Sequence, residues 1–552
     1  MPRSTADGSR WVDAMTQRKT MPSRRSLLAG GLAAGALAAA PRAGWAGASD
    51  NIIRFGLSVE KPASLDPAFG VQGADNDVTR QIFDAFVDPP YGTFDLAPAG
   101  LVGEAAESWE MAPDSRSVTV KLREGMLFHK GYGEVTAEDA KFTFDRLRDP
   151  AAGSQYRVFY LGVEDVAVLD KHRFRITLRR PDPTFYATGM IARGALLVSR
   201  KAVEALGQGF RRAPVGSGPF EFEAYDNERG VVLKPFAGYH GQKPQVAGVE
   251  FRYVPDSTAR TLAFLKGQLD IIEGIRLPGW LDEVRGQAPK AAFDFTRPGS
   301  QNIIAFNLTR MPFDDVRVRR AIRLAIDRRV LQQAYGDLYG DVWAINPPEY
   351  PGAFQQGQLP DDLQYDHDPA KAQRLLAEAG YPKGLSFETY ISQREDYQAV
   401  MIMIQEMLRA VGIDMKLRTV DHTAYHTDNL RDQNIFGMNS ETTAPVGTSL
   451  LQTYFSAANE VRKDGKGGRN YSHYGAAIPG IDDLLARILD EPDLERRQAL
   501  TREAELRILR DMPAFNALSL HWVFARNPRL DLGYRIKASY AYFTLARARF
   551  VG

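Results

Sequence analysis

The chain has 552 residues, of which 44% are hydrophobic and 25% are charged, as is ordinary for soluble globular proteins. Its 69 basic and 68 acidic residues leave a net charge of +1, which excludes an electrostatic basis for binding nucleic acid or an anionic membrane. The absence of cysteine excludes disulfides, thiolate metal sites, thiol nucleophiles and a lipid-modified cysteine.

The amino-terminal segment, residues 1–48, has the features of an export signal. Arg24 and Arg25, followed by a mildly apolar run rich in Gly and Ala, are typical of the twin-arginine type. That run is too short and too weakly apolar to span a membrane. Ala46 and Ala48 form an A-x-A cleavage site, so we expect a periplasmic protein that begins near Ser49 and has no lipid anchor. An ordinary Sec signal or a disordered basic tail is the alternative.

After the signal, the chain alternates strand and helix patterns without internal repeats, which predicts a mixed α/β fold. Apolar residues at every second position predict strands around Val120, Ile176 and Phe251. A chain of this length is too long for one hydrophobic core, so we expect two or three domains.

The segment that follows Pro312 predicts an amphipathic helix. Val318, Ile322 and Val330 belong to one apolar stripe, and arginines occupy other positions. Asp315 lies near the start, where the positive end of the helix dipole favours a carboxylate. The pattern predicts one helix that extends to about Val330.

Two later segments also predict helices. Asp368 is a candidate N-cap, Pro369 suits the first turn, and Gly380 ends the segment. The next helix ends at Gly412, and the alternation of apolar and charged residues that follows predicts a strand.

Several of these segments resemble the family 5 extracellular solute-binding proteins, the receptors that bring peptides, nickel chelates and related solutes to ABC importers. The helix after Pro312 resembles the family pattern PF-D-RVR-A---A-D. Further matches are SLDP at 64–67, EAAESWE at 104–110, KLREGMLFH at 121–129, TAED at 136–139, PVGSGPF at 214–220, KGQLDI at 266–271 and LLAEAGY at 375–381. Each match is weak alone, but their shared order along the chain is specific.

The resemblance implies a periplasmic-binding-protein-like α/β fold, with two lobes joined by hinge strands and a third, inserted lobe. The implied ranges are 49–84, 208–306 and 520–552 for lobe I, 85–207 for lobe II, and 307–519 for lobe III. Hinges near Phe306 and His521 would let lobe III close on lobe I around a ligand.

No catalytic or metal signature stands out. The chain lacks G-x-S-x-G, H-E-x-x-H and Walker-type sequences. Asp75 and Asp77 lack the glycine and the twelfth-position glutamate of a calcium loop. His422 and His426 share the spacing of helical metal ligands, but a solvated pair on a surface helix is favoured because Asp421 is the one obvious acidic companion. We expect a binding protein without metal or cofactor, not an enzyme.

The resemblance also implies where a ligand's amine would bind. Peptide-binding relatives hold that amine with an aspartate, and Thr443 stands at the corresponding position, with Glu441 two residues away. A neutral hydroxyl does not replace a carboxylate as the partner of a buried ammonium. A free-amine peptide bound in this manner is therefore disfavoured.

Arg394 resembles the arginine by which dipeptide receptors grip the ligand's carboxylate. Its forked guanidinium suits that role, and a surface arginine at a helix start is the alternative. Gln301 and Asn302, before the hinge, are further candidates for the cleft. Trp280 is another, and it is equally a candidate for the core.

The function expected from these features is that of a monomeric ABC-importer binding protein. Its closed cleft would hold a peptide-like or other small polar solute and deliver it to a permease in the inner membrane. An exported hydrolase on the same fold is an alternative, which the lack of a nucleophile-base spacing disfavours. A third interpretation is a receptor that binds the same solute and signals to a membrane kinase. The sequence does not distinguish this signalling function from transport.

Overall fold

The computed structural model describes residues 50–70, 72–191, 194–226, 229–442, 446–538 and 543–552. The predicted signal residues Arg24, Arg25, Ala46 and Ala48 lie outside the described residues, and so does Thr443. In the described part of the chain, no helix combines the length and the apolar character needed to cross a bilayer.

The described residues form a mixed α/β fold, as predicted. The helices are α1 (Gly73–Ile82), α2 (Ala137–Arg148), α3 (Arg200–Leu206), α4 (Ser257–Leu265), α5 (Trp280–Gln287), α6 (Val316–Ala325), α7 (Arg328–Tyr335), α8 (Pro369–Glu378), α9 (Glu395–Arg409), α10 (His422–Leu430), α11 (Gly447–Phe455), α12 (Ile481–Asp490) and α13 (Leu494–Asp511). The strands are β1 (Ile52–Leu57), β2 (Val87–Asp88), β3 (Val102–Gly103), β4 (Ala106–Met111), β5 (Ser117–Leu122), β6 (Val163–Val168), β7 (Arg173–Leu178), β8 (Phe220–Asp226), β9 (Gly230–Pro235), β10 (Gly248–Tyr253), β11 (Ile271–Glu273), β12 (Ala292–Phe306), β13 (Tyr339–Gly340), β14 (Leu385–Ser392), β15 (Ile413–Val420), β16 (Phe436–Glu441), β17 (Ala514–Arg526), β18 (Leu530–Asp531) and β19 (Arg549–Phe550).

One large sheet runs through the molecule in the order β16-β12-β17-β11-β1-β10-β9-β8, with β13 beside β17. β1 pairs in parallel with both β10 and β11, whereas the other neighbours pair antiparallel. The carboxyl ends of β1, β10 and β11 therefore lie at the same edge of the sheet. In open α/β sheets, ligands bind at that edge.

β12 and β17 connect the two halves of this sheet. Their pairing is irregular just after Thr296, and the predicted hinge residue His521 lies opposite this irregularity. Gly299 lies there as well, and a Cβ at this position would come within 2.0 Å of the Leu520 carbonyl oxygen, so a residue without a side chain is required. Phe306, the other predicted hinge residue, ends β12 and is fully buried.

A second sheet, in the order β4-β5-β7-β6, lies within the range predicted for lobe II. Its strands β5 and β7 alternate buried and more exposed residues around Val120 and Ile176, as predicted. The buried hydrophobic residues form two cores, one mainly from the ranges of lobes I and II and one mainly from the range of lobe III. The boundaries of the lobes stay a prediction, and we keep lobe I, lobe II and lobe III as names for those ranges.

The single helix predicted after Pro312 is wrong, because the structure has two helices, α6 and α7. Asp327 separates them by capping α7, since its Oδ1 accepts a hydrogen bond from the amide N–H of Arg329 at 2.9 Å. An N-cap residue has extended backbone, which prevents α6 from continuing. The apolar stripe is buried as predicted, and Val318 and Ile322 are fully inside.

Arg319 lies inside the protein although the pattern placed arginines outside the apolar stripe. The residue is 2% exposed. Its Nη1 donates to the carbonyl oxygens of Phe313 at 2.7 Å and Asp314 at 3.1 Å. Its Nε and Nη2 donate to the carbonyl oxygens of Met512 at 3.0 Å and Asp511 at 2.6 Å. Arg319 thus ties the start of α6 to the end of α13.

Candidate functional site

The loop after β11 places Arg276 where lobe I meets lobe III. Its Nη1 donates to Ser300 Oγ at 2.8 Å, and its Cζ lies 4.0 Å from the centroid of the Trp522 ring. Its Nη2 lies 3.3 Å from Oδ2 of Asp396, in the first turn of α9. The side chain is 9% exposed, and this burial lowers the pKa of the guanidinium. The contact with Asp396 joins the two lobes.

Arg394 immediately precedes α9 and faces the same carboxylate. Its Nε and Nη2 donate to the two oxygens of Asp396 at 3.0 and 2.8 Å. Its Nη1 has no hydrogen-bond partner among the described residues, and 49% of the side chain is exposed. The guanidinium is therefore held from one side and open to an anion from the other.

Two guanidinium groups thus surround one carboxylate, and we call Arg276, Arg394 and Asp396 the arginine cluster. Burial raises the pKa of Asp396, but the charges of Arg276 and Arg394 outweigh that effect and hold it below its ordinary value. The ionised carboxylate cancels one of the two positive charges. The remaining positive charge suits the cluster to an anionic group.

Glu441, at the end of β16, is already paired within the protein. Its carboxylate accepts hydrogen bonds from the Tyr454 hydroxyl at 2.5 Å and from the guanidinium of Arg469. The charge of Glu441 is the main cause that raises the pKa of Arg469 above its ordinary value. The negative charge of Glu441 is therefore neutralised from inside the protein.

Gln301, Asn302 and Trp280 lie in the packed interior. The Gln301 amide oxygen accepts a hydrogen bond from Asn516 at 2.8 Å, and Asn302 donates to a carbonyl oxygen of β17 at 3.3 Å. The indole N–H of Trp280 donates to Thr261 Oγ1 at 3.1 Å. The structure does not bring these three side chains to the arginine cluster. The first two fasten β12 to β17, and Trp280 packs in the core at the start of α5.

His422 and His426 lie on α10, near the arginine cluster. Their rings are 4.6 Å apart and meet edge to face, and Nδ1 of His422 lies 2.8 Å from Ser392 Oγ. Burial lowers the pKa of His426 to about 4, so its ring is uncharged near neutral pH. The described residues contain no group of three or more His, Asp or Glu side chains placed to hold a metal ion.

Sequence reasoning did not single out Arg276, Asp396 or Arg469. Arg276 and Asp396 are 120 residues apart, so no local spacing relates them. No strand was predicted at Ile271–Glu273, so the sequence did not show that Arg276 lies in a loop at the carboxyl edge of parallel strands, where ligand sites are common.

Comparison with known proteins identifies the family. Residues 100–460 match the bacterial extracellular solute-binding proteins, family 5 Middle, and this range is well over half of the chain. The chain belongs to this family. The resemblance seen in the sequence is thereby confirmed, and solute binding is the function of this family 5 protein.

Relatives of this family 5 protein cover nearly all of its length. The dipeptide-binding protein of Escherichia coli is 26% identical over 485 residues, which are 82% of this chain and 86% of the relative. The glutathione-binding protein GsiB of Pectobacterium atrosepticum is 26% identical over 531 residues, which are 92% of this chain and 93% of the relative. The solved structure of MoaA from A. tumefaciens R10 with mannopinic acid has a TM-score of 0.75 and 28% identity, and covers 91% of this chain and 99% of MoaA.

His521, at the predicted hinge, should make this family 5 protein sensitive to acid. Its Nδ1–H donates to the carbonyl oxygen of Asp337 at 3.0 Å, and its Nε2 is buried without a hydrogen-bond partner among the residues that the structure describes. Burial is the main cause that lowers the pKa of His521 from 6.5 to about 4. The unfolded chain therefore binds a proton below pH 6.5 that the folded protein does not accept until about pH 4. Stability is lost as the pH falls through this window.

Wild type and His521→Asn should therefore diverge between pH 7 and pH 4. The asparagine amide keeps a donor for the Asp337 carbonyl but does not titrate. Urea unfolding at several pH values should show that the free energy of unfolding falls by roughly 3 kcal/mol more for the wild type than for the variant over this window. Parallel pH profiles for the two proteins would show that His521 is not the responsible group.

Proposed function

We propose that this protein captures one small solute with an anionic group, such as a peptide-like carboxylate, between lobe I and lobe III. It delivers the solute to an ABC permease in the inner membrane and does not transform it chemically. The observation that carries this proposal is the arginine cluster, which spans the two lobes with two positive charges and one negative charge.

The position of the cluster explains why capture and closure would be coupled. Arg276 belongs to lobe I, whereas Arg394 and Asp396 belong to lobe III. An anion bound at Arg394 would therefore lie beside guanidinium groups from both lobes only when the lobes are together. Differential binding of this kind is what shifts a hinged protein towards its closed form.

The relatives support an anionic solute. Dipeptides, glutathione and mannopinic acid, the ligands for which these relatives are known, all carry carboxylates. Thr443 offers no charge to a ligand ammonium, so we do not place an amine at that position. Gln301, Asn302 and Trp280 stay outside the proposed contact set because their polar atoms are engaged in the interior.

Small-angle X-ray scattering tests the closure. The protein is stripped of solute by unfolding and refolding, and its own released small-molecule fraction is then added back. We expect the radius of gyration to fall when the solute binds, because the lobes approach one another. A scattering profile that is unchanged at saturating solute would contradict capture by closure.

We also propose that the protein reaches the periplasm by the twin-arginine route and is cleaved after Ala48. The joint substitution Arg24→Lys with Arg25→Lys should leave uncleaved precursor in the cytoplasm, because that route requires both guanidinium groups. Cell fractionation and the mass of the mature protein measure the outcome. Substituting Arg18 and Lys19, outside the motif, by glutamine is the matched control. Normal periplasmic accumulation of the double variant would exclude this route.

A further inference from the structure

The carboxyl edge of the parallel strands carries a second group of polar side chains beside the arginine cluster. Ser58 follows β1, Tyr253 ends β10, and Glu273 ends β11. Asp77, on α1, lies close enough to Glu273 for the charge of one to act on the other. We call Ser58, Asp77, Tyr253 and Glu273 the acidic wall. It occupies the edge of the sheet at which ligands of α/β proteins bind.

Asp77 is the least satisfied member of this wall. The residue is 6% exposed, yet its carboxylate has no hydrogen bond and no ion pair with any described residue. Burial, and then the charge of Glu273, hold the pKa of Asp77 well above its ordinary value. Buried carboxylates are normally paired with a cation or hydrogen-bonded, because transferring an unpaired charge out of water is costly. The described part of the chain supplies no such partner to Asp77.

Tyr253 gives an independent indication that a partner is missing. Its hydroxyl oxygen is buried and has no hydrogen-bond partner among the described residues. Burial raises the pKa of Tyr253, and the charges of Asp75 and Asp77 add to this. A buried phenol normally finds a partner. Among the described residues, the Asp77 carboxyl on α1 and the Tyr253 hydroxyl on β10 are thus two polar groups of the wall without a hydrogen-bond partner.

The basic residue behind the wall is already engaged. Arg260 donates its Nε–H to the main-chain carbonyl oxygen of Glu273 at 2.9 Å and its Nη1–H to those of Val254 at 2.6 Å and Pro255 at 3.2 Å. It forms no ion pair with a carboxylate of the wall within the described residues. Its role is to hold the ends of β10 and β11 together, which leaves the carboxylates for another cation.

We propose that Asp77 and Glu273 form a subsite for a protonated amine of the solute. This inference rests on the proposed function, because it assumes that the anionic end of the same solute lies at the arginine cluster. The solute is therefore a zwitterion whose amine lies on lobe I. Glu273 connects the two subsites, since its charge acts on Asp77 at one end and on Arg276 and Arg394 at the other.

The subsite also accounts for the neutral residue at position 443. Threonine at this position offers no charge to an ammonium, and Glu441 at the end of β16 is neutralised by Arg469. Among the described residues, the buried carboxyl group of Asp77 on lobe I has no hydrogen bond or ion pair and would gain a partner from the amine. The amine is therefore held on lobe I, and the separation between Asp77 and the arginine cluster selects zwitterions by the spacing between their charges.

Matched ligands test this subsite without relying on a variant. The probes are glutathione, alanyl-leucine and mannopinic acid, each with its native amine and in N-acetylated form. Isothermal titration calorimetry is run on wild type, Asp77→Asn, Arg394→Ala and the control Glu60→Gln, which removes an exposed carboxylate of the same lobe. Thermal melting of each solute-free variant verifies that it is folded.

At least one probe with its native amine should bind the wild-type protein about 100-fold more tightly than the same probe in N-acetylated form, as expected for a buried charge pair. Asp77→Asn should abolish that preference, Glu60→Gln should keep it, and Arg394→Ala should weaken both forms alike. Equal or tighter binding of the acetylated probes overturns the amine subsite. The proposal of an anion site then stands if Arg394→Ala still lowers the affinity for the acetylated probes. If no probe binds in either form, the amine subsite and the proposed solute class are both overturned.

Discussion

Replacing Arg394 by alanine should weaken solute binding by about 2 to 5 kcal/mol, which is about 30- to 4,000-fold in Kd. The reason is that the anionic group of the solute would lose Arg394, whose Nη1 donates no hydrogen bond to any described residue. Arg276 would not compensate, because its donors already serve Ser300 and Asp396. Titration calorimetry of wild type and variant measures the difference.

Arg394→Lys should recover part of this loss, since an ammonium restores the charge but not the forked contact. Arg409→Ala is a matched control. Arg409 ends α9, the helix that Arg394 precedes, and it pairs with Glu406 while 60% of its side chain is exposed. It should leave the affinity unchanged. If Arg394→Ala binds the solute as tightly as wild type and Arg409→Ala, the arginine cluster is not the anion site.

Arg319→Met should destabilise the protein by about 3 to 5 kcal/mol, the range for breaking a buried charged network. Methionine fills much of the same volume but leaves four carbonyl oxygens without their donor, and each unsatisfied buried acceptor is costly. Two of those carbonyls lie just before α6 and two lie at the end of α13, so losing the contacts loosens both helices at once. Urea unfolding followed by circular dichroism gives the free energy.

Arg329→Ala is the matched control for this substitution. Arg329 lies in the same sequence segment, but 77% of its side chain is exposed and it pairs only with Asp327 among the described residues. A surface pair of this kind contributes less than about 1 kcal/mol. If the two substitutions cost the same, the buried contacts of Arg319 do not stabilise the fold.

The fold class could be predicted because its signals are local. Alternating residues marked β5 and β7, and an N-cap with a following proline marked α8. The break between α6 and α7 was missed because the apolar stripe runs on past Asp327, whose capping bond competes with helix continuation only at that residue.

The site was predicted only in part, because its contacts are long-range. Arg394 could be inferred from a family resemblance, but its partners depend on how distant segments meet. Arg276 reaches Asp396 across 120 residues, and Arg319 reaches Met512 across 193. No periodicity or spacing relates such residues. The lack of a partner for Asp77 among the described residues is equally invisible in the sequence, where Asp77 was considered only as part of an incomplete calcium-loop pattern.

Native mass spectrometry of the protein, purified without denaturation and incubated with its released small-molecule fraction, tests the central claim most directly. Solute capture at the arginine cluster predicts one small molecule per chain on wild type and on Arg409→Ala. The same treatment should leave Arg394→Ala at the mass of the polypeptide alone. Wild type and Arg394→Ala carrying the same load, or neither carrying any, would contradict capture of a solute at this cluster.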